Sequence, residues 1–264
     1  MAIANAGATP TTITLPADIE TASNIVIPYH ADITLTSAGD NMFSIIATRD
    51  MTTITVAESG RRATTVTVTV DGVVTRSGGR QFASLTLDNV GVTRARATVG
   101  AGIRNYGYLT MNSGRIYGNA GTSGSGVQNM RCFIMYGGTI SDNAGSSRGG
   151  GVLNGSTFTM HGGTISGNTA NIGAGVLNGG TFTMHGGTIT NNATFSNRRG
   201  NVGDRGSAGG VYNDRGTFTI YGGWIFGNTS PEYADLRLLP RSVFIDNLFL
   251  NPGGGAIGSG PSSQ

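Results

Sequence analysis

Five copies of one phrase occupy residues 102–228, and a repeat of this kind leaves a chain few ways to fold. They read GIRNYGYLTMNSGRIYGN from Gly102, GVQNMRCFIMYGGTISDN from Gly126, GVLNGSTFTMHGGTISGN from Gly151, GVLNGGTFTMHGGTITNN from Gly175 and GVYNDRGTFTIYGGWIFGN from Gly210. Their starts lie 24, 25, 24 and 35 residues apart, a period of 24 with one long insertion. A fixed period in this range marks a solenoid, in which each repeat is one coil that cannot bury its apolar face without its neighbours.

Each copy holds two short alternating runs, such as Thr157-Phe158-Thr159-Met160 and Thr164-Ile165-Ser166. Alternation with period two is the signature of a strand with one face in and one face out. Phe158, Met160 and Ile165 are expected inward, and Thr157, Thr159, Thr164 and Ser166 outward. Gly162-Gly163 and Asn168 stand between the runs, where tight corners favour such residues. No repeat shows helical spacing, and 45 glycines in 264 residues are far too many for helices. Helical solenoids are therefore excluded. A leucine-rich horseshoe fails for want of a leucine ladder, and a calcium-binding roll for want of regularly spaced Asp. The expected fold class is all-β: a parallel β-helix of about 24 residues per coil, its rungs about 4.8 Å apart.

The stretch GGVLNGSTFTMHGGTISGNT over 150–169 resembles the right-handed parallel β-helix (pectate-lyase-like) repeat proteins of bacterial surface and secreted type. The resemblance is strong over 102–229 and looser over 9–100. It implies a right-handed coil and an extracellular or cell-surface location. It implies little about activity, because this scaffold carries lyases, adhesins, tailspikes and passive stalks alike.

Outside the repeats the strand chemistry persists without the strict period. Ile13–Leu15, Asn24–Ile27, Ile33–Leu35, Met42–Ile46, Ile54–Val56 and Val66–Val70 are short β-branched runs broken by Gly, Pro, Asn and Asp. Thr86 lies 24 residues before Thr110, so Ser84–Asp88 reads as an earlier rung. Residues 1–100 are accordingly expected to form irregular rungs and an N-terminal cap, since an open coil end exposes unpaired strand edges. In the resembling family, an opening such as ITLPADIETASNIVIP forms the first rungs. Residues 101–230 form the regular repeats, with an insertion at 193–209. Residues 231–264 divide into an apolar segment over 231–251, read as a cap or a docking element, and a Gly/Ser-rich tail. Such a solenoid has one continuous core, so a single domain is expected.

With 17 basic against 14 acidic residues the formal charge is only +3, which gives no reason to expect nucleic acid as a partner. Every basic residue other than His is Arg, and the absence of Lys removes Schiff-base chemistry. Cys132 is the single cysteine, so no intrachain disulfide is possible. It takes the strand position of Thr157 and Thr181 and is expected to be a small ladder residue. No membrane span and no signal peptide are read in the chain.

Catalysis on polysaccharides needs carboxylates gathered at one place. Over 102–229 the acids are Asp142 at a corner, Asp204 in the insertion and Asp214 in a turn, none paired at i, i+2 on a strand. The chain is therefore expected not to be an enzyme, with no catalytic residues and no cofactor. His161 and His185 hold one position in neighbouring coils, in a column that reads Asn112, Tyr136, His161, His185, Tyr221. No third ligand accompanies the two histidines, so no metal is expected. Tyr136, His161, His185 and Tyr221 are instead candidate glycan contacts, by stacking on sugar rings, against the simpler expectation of a solvated ladder. Two Asn columns, Asn105/Asn129/Asn154/Asn178/Asn213 and Asn119/Asn143/Asn168/Asn192/Asn228, are expected to be structural, bonding rung to rung. Thr157/Thr159, Thr181/Thr183 and Thr217/Thr219 resemble the flat Thr-x-Thr lattice of ice-binding solenoids over three rungs, broken in the earlier copies.

The insertion ATFSNRRGNVGDRGSAG over 193–209 has seventeen residues where other linkers have six or seven. Solenoid insertions project from one face and often carry recognition. Arg198, Arg199, Arg205 and the nearby Arg215 are the candidate contacts to an acidic glycan or a carboxylate-bearing partner. The expected role is non-enzymatic, structural or adhesive. The rivals are a self-assembling filament joined through its coil ends and 231–251, a polysaccharide-binding or -cleaving β-helix, and an ice-binding solenoid.

Overall fold

The computed structural model describes residues 10–29, 31–56, 82–99, 101–195, 207–231, 235–238 and 243–245, with backbone only for 96–99, 237–238 and 243–245. Among them every regular element is a strand, and every named strand pairing is parallel. The alternation read from the sequence produces this directly. One strand type, exemplified by Thr157–Met160, stacks into a nine-stranded sheet from Thr11–Leu15 to Val243–Ile245; we call it the TFTM sheet. A second sheet of eight strands contains Thr164–Ser166, and a third of eight contains Val152–Asn154. A fourth of five strands contains Thr169–Ala170. One coil runs through the third, TFTM, second and fourth sheets in turn before meeting its own copy in the next rung.

Register is one-to-one between repeats. Thr157, Phe158, Thr159 and Met160 lie beside Thr181, Phe182, Thr183 and Met184. The expected inward residues Phe158, Met160 and Ile165 are wholly buried. Phe133, Phe158, Phe182 and Phe218 form a stack inside the coil, with centroids 4.7, 4.6 and 4.8 Å apart. The early segments are rungs of the same solenoid, since Thr110 pairs with Thr86 and Thr86 with Thr34. At the other end, Leu236–Leu238 pairs with Val211–Asn213, and Val243–Ile245 with residues 218–220. Parts of 231–251 thus extend the third and TFTM sheets by one strand each. Val66–Val70 and the Gly/Ser-rich tail lie outside the described residues.

Corners are built by small and amide side chains. One corner column, Gly118, Asp142, Gly167, Asn191 and Gly227, has φ of 62, 58, 65, 54 and 65°. This is the left-handed region that Gly, Asn and Asp tolerate best. Both Asn columns are buried and act as polar ladders, as their spacing suggested. In the first, the Nδ2 of Asn129 donates to Asn154 Oδ1 at 2.8 Å and Asn154 Nδ2 to Asn178 Oδ1 at 2.7 Å. In the second, Asn143 Nδ2 donates to Asn168 Oδ1 at 2.9 Å, and Asn168 Nδ2 to Asn192 Oδ1 at 2.9 Å.

The outer face of the third sheet carries packing that the sequence reading did not anticipate. Leu153, Ile172, Leu177, Ala208 and Tyr212 form a separate apolar cluster there. Linkers that lead out of the fourth sheet fold back over these side chains, helped by the left-handed Gly149 and Gly173 beside Leu153 and Leu177. The two ends of the insertion follow the pattern of the shorter linkers. Ala193–Thr194 continues the fourth sheet, and Ser207 and Ala208 are buried.

Candidate functional site

The third sheet is covered by its own linkers, whereas the TFTM sheet turns a long face outward. Its outward side chains fall into three columns running parallel to the solenoid axis. The middle column reads Thr12, Thr34, Thr86, Thr110, Ile134, Thr159, Thr183 and Thr219, all in pairing register. The paired Thr-x-Thr array does break in the earlier copies, where Tyr108, Cys132 and Ile134 stand, but the middle column alone resumes as Thr beyond the break. It continues to the first rungs with one β-branched Ile in the line. On one side lies the column of Tyr108, Cys132, Thr157, Thr181 and Thr217. On the other lie Asn112, Tyr136, His161, His185 and Tyr221. From Tyr108 to Tyr221 no outward position in these columns holds Asp, Glu or Arg.

The ring column is a continuous stack. Tyr136–His161, His161–His185 and His185–Tyr221 have centroid separations of 4.9, 4.9 and 5.0 Å and interplanar angles of 10, 6 and 10°. The rung repeat sets this spacing, because each ring leaves an equivalent backbone position. The geometry changes what the rings can do. Both faces of His161 and His185 are turned to neighbours, so a sugar can stack only on the outer faces of Tyr136 and Tyr221. The ring edges remain available, and they present the polar atoms of Tyr and His as a row of donors and acceptors. Tyr136 and Tyr221 are exposed at 53% and 52%.

A shared metal is not supported by this arrangement. Two zinc–nitrogen bonds of about 2.1 Å span at most about 4.2 Å. Nearly parallel imidazoles 4.9 Å apart hold like nitrogens farther apart than that. Among the described residues no group of three or more His, Cys, Asp or Glu lies in metal-binding proximity.

Cys132 is half-buried between Tyr108 and Thr157. Burial pushes its thiol above the ordinary value, and the neighbouring Arg131 charge pulls partly back. A thiol raised in this way is a poor nucleophile at neutral pH. The Arg131 guanidinium itself lies 3.1 Å over the Phe82 ring and 5.3 Å from that of Tyr108, at the rim of the face.

Of the four arginines expected to bind, Arg198, Arg199 and Arg205 lie outside the described residues, as does Asp204. Arg215 is exposed at a corner with φ of 65°, two residues before Thr217 on the TFTM sheet. It joins the rim of the outward face. Asp142 is exposed at its left-handed corner and sits 3.7 Å from Arg115, a surface pair of small energetic weight. Among the described residues no helix is long and apolar enough to cross a membrane. The chain matches no protein-family model, no curated protein and no solved structure.

Proposed function

We propose that this chain is a non-enzymatic structural or adhesive module of an extracellular or cell surface, a right-handed solenoid that holds a glycan along its TFTM face. The observation that carries this reading is the outward face itself: an uncharged strip of Thr hydroxyls beside a row of ring edges, uncovered by the linkers that roof the third sheet. Such a strip repeats one hydrogen-bonding unit per rung and suits an extended polymer lying parallel to the axis. The right hand follows from the rule for parallel strands joined by crossovers, and from the resemblance of the repeats to bacterial surface β-helices. Ring edges bind by hydrogen bonds, so the interaction is expected to be polar, repetitive and individually weak.

The test is a screen of immobilised glycans, followed by affinity electrophoresis on any glycan retained. A His161→Ala, His185→Ala double variant is expected to weaken retention roughly tenfold, the worth of one or two hydrogen bonds. Failure to retain any glycan, or equal retention by the double variant, removes the reading.

The Thr column supports a second reading. Hydroxyl and methyl groups repeated on a rigid sheet can order water, and eight strands share the column. Thermal hysteresis and inhibition of ice recrystallisation are its readouts. Activity lost on Thr159→Tyr and Thr183→Tyr, with glycan retention absent, would favour it.

A further inference from the structure

The second asparagine ladder ends on a residue of a different kind. Asn119, Asn143, Asn168, Asn192 and Asn228 each sit at the corner after the second sheet. The first four each give their backbone N–H and their Nδ2 to the Oδ1 of the next coil's Asn. For Asn192 these donations reach Asn228 Oδ1 at 3.0 and 2.9 Å. Asn228 makes the same two donations at the same distances, 3.0 and 2.9 Å, to Asp235 Oδ1. Yet Asp235 is only seven residues farther along the chain and does not stand at that corner.

Its actual place is the position just before the third-sheet strand, the column of Gly102, Gly126, Gly151, Gly175 and Gly210. A Cβ built on any of these glycines points at the Nδ2 of the ladder Asn in its own coil, 3.0 Å away in four cases and 2.9 Å at Gly210. The column thus aims at the ladder, and glycine keeps the space clear for the asparagine. Asp235 carries a side chain in that column, and its carboxylate reaches the location that the next asparagine amide would take. It is 6% exposed, and its carbonyl still accepts the rung bond from Val211 N–H at 2.8 Å.

We infer that Asp235 is the terminator of this ladder: it supplies the acceptor that Asn228 requires, occupies the corner from within, and offers no donor to a following coil. A carboxylate accepts hydrogen bonds only, so the one-way chain of amides stops there. The residue therefore ends this ladder at Asn228, while the third and TFTM sheets each continue by one strand beyond it.

Thermal melts of the full chain and amide hydrogen exchange at Asn228 test the assignment. Asp235→Gly restores the glycine of the column and leaves two buried donors without an acceptor. The midpoint is expected to fall by roughly 5–10 °C. Asp235→Asn keeps Oδ1 and is expected to melt like the original chain. Asp235→Ala is expected to speed exchange of the Asn228 amide at least about tenfold, while the Asn168 amide, two rungs away, keeps its rate. This local readout decides the matter should the Gly variant fail to accumulate. An Asn variant as unstable as the Gly variant, a Gly variant with an unchanged midpoint, or an Asn228 amide in Asp235→Ala that exchanges at its original rate would overturn the assignment.

Discussion

At the scale of single residues, position in the coil decides what one side chain contributes. Asn168 and Asn112 are both asparagines near the ends of strands, but one is buried in a ladder and the other stands in the outward column. Asn168→Ala strands the N–H and Nδ2 of Asn143, which donate to it at 3.0 and 2.9 Å, and removes the donor to Ile140 O. Urea unfolding should show a loss of roughly 2–5 kcal/mol, whereas Asn112→Ala should stay within about 0.5 kcal/mol. Cys132 gives a pH-dependent counterpart. Its thiol holds its proton more tightly in the folded chain than in the unfolded one, mainly through burial. The resulting contribution to stability is present while the thiol is protonated. It is lost as pH rises from the ordinary thiol value through the higher folded one. Alkylation of the folded chain should accordingly require a more alkaline pH than alkylation of the urea-unfolded chain. Arg131→Ala should move the requirement higher still, and a shift in the other direction would contradict the assigned causes.

At the scale of strands and corners, much was legible and some was hidden, for physical reasons. Alternation fixed which of Thr157–Met160 faces in, because a parallel rung allows no other register once Phe158 must lie on Phe133 and Phe182. The amide ladders were legible because asparagine recurs at one phase of the period. The outer packing on the third sheet was not. Leu153 and Leu177 stand at outward positions between Val and Asn, and the linkers that cover them, AGSSRGG over 144–150 and TANIGA over 169–174, share no pattern with each other. The long Thr column was equally hidden, because Thr12, Thr34 and Thr86 are 22 and 52 residues apart and only strand pairing aligns them. The glycine column before the third sheet shows how such hidden geometry restricts sequence. A Cβ on Gly151 would lie 2.6 Å from Gly175 O and 3.0 Å from Asn168 Nδ2. Neither neighbour can yield without breaking a rung bond or the ladder. Gly151→Ala should therefore destabilise by about 1–3 kcal/mol, although alanine is ordinarily the milder residue for a strand. Circular dichroism with urea titration checks this, and an unchanged midpoint would mean that the corner is looser than its packing indicates.

At the scale of the molecule, the solenoid is a stack in which each coil meets only its neighbours, so length and stability are modular. Residues 151–174 make one complete coil, and the chain enters Gly175 with the geometry with which it enters Gly151. Val127 N–H donates to Gly151 O, and Val152 N–H to Gly175 O, at 2.8 and 2.9 Å. Excising 151–174 would let Val127 meet Gly175 directly. Asn143 would then face Asn192 in place of Asn168, Phe133 would face Phe182, and Gly149 would pack on Leu177 as it now does on Leu153. The Asn, Phe and ring ladders close over the gap with their chemistry unchanged. The shortened chain is expected to fold with the same strand-rich circular dichroism spectrum and a midpoint lowered by only a few degrees, since one coil and its interface are lost. Removing 151–162 instead brings unlike sheets together and reverses no mismatch, so that variant should not fold. The pair also separates architecture from binding. The folded deletion keeps Tyr136, His185 and Tyr221 in a stack one ring shorter. If a glycan lies along this row, its retention should decrease without vanishing. Retention that is abolished while the spectrum is preserved would place the binding residues within the lost coil itself, and a full-strength interaction would place them off this face.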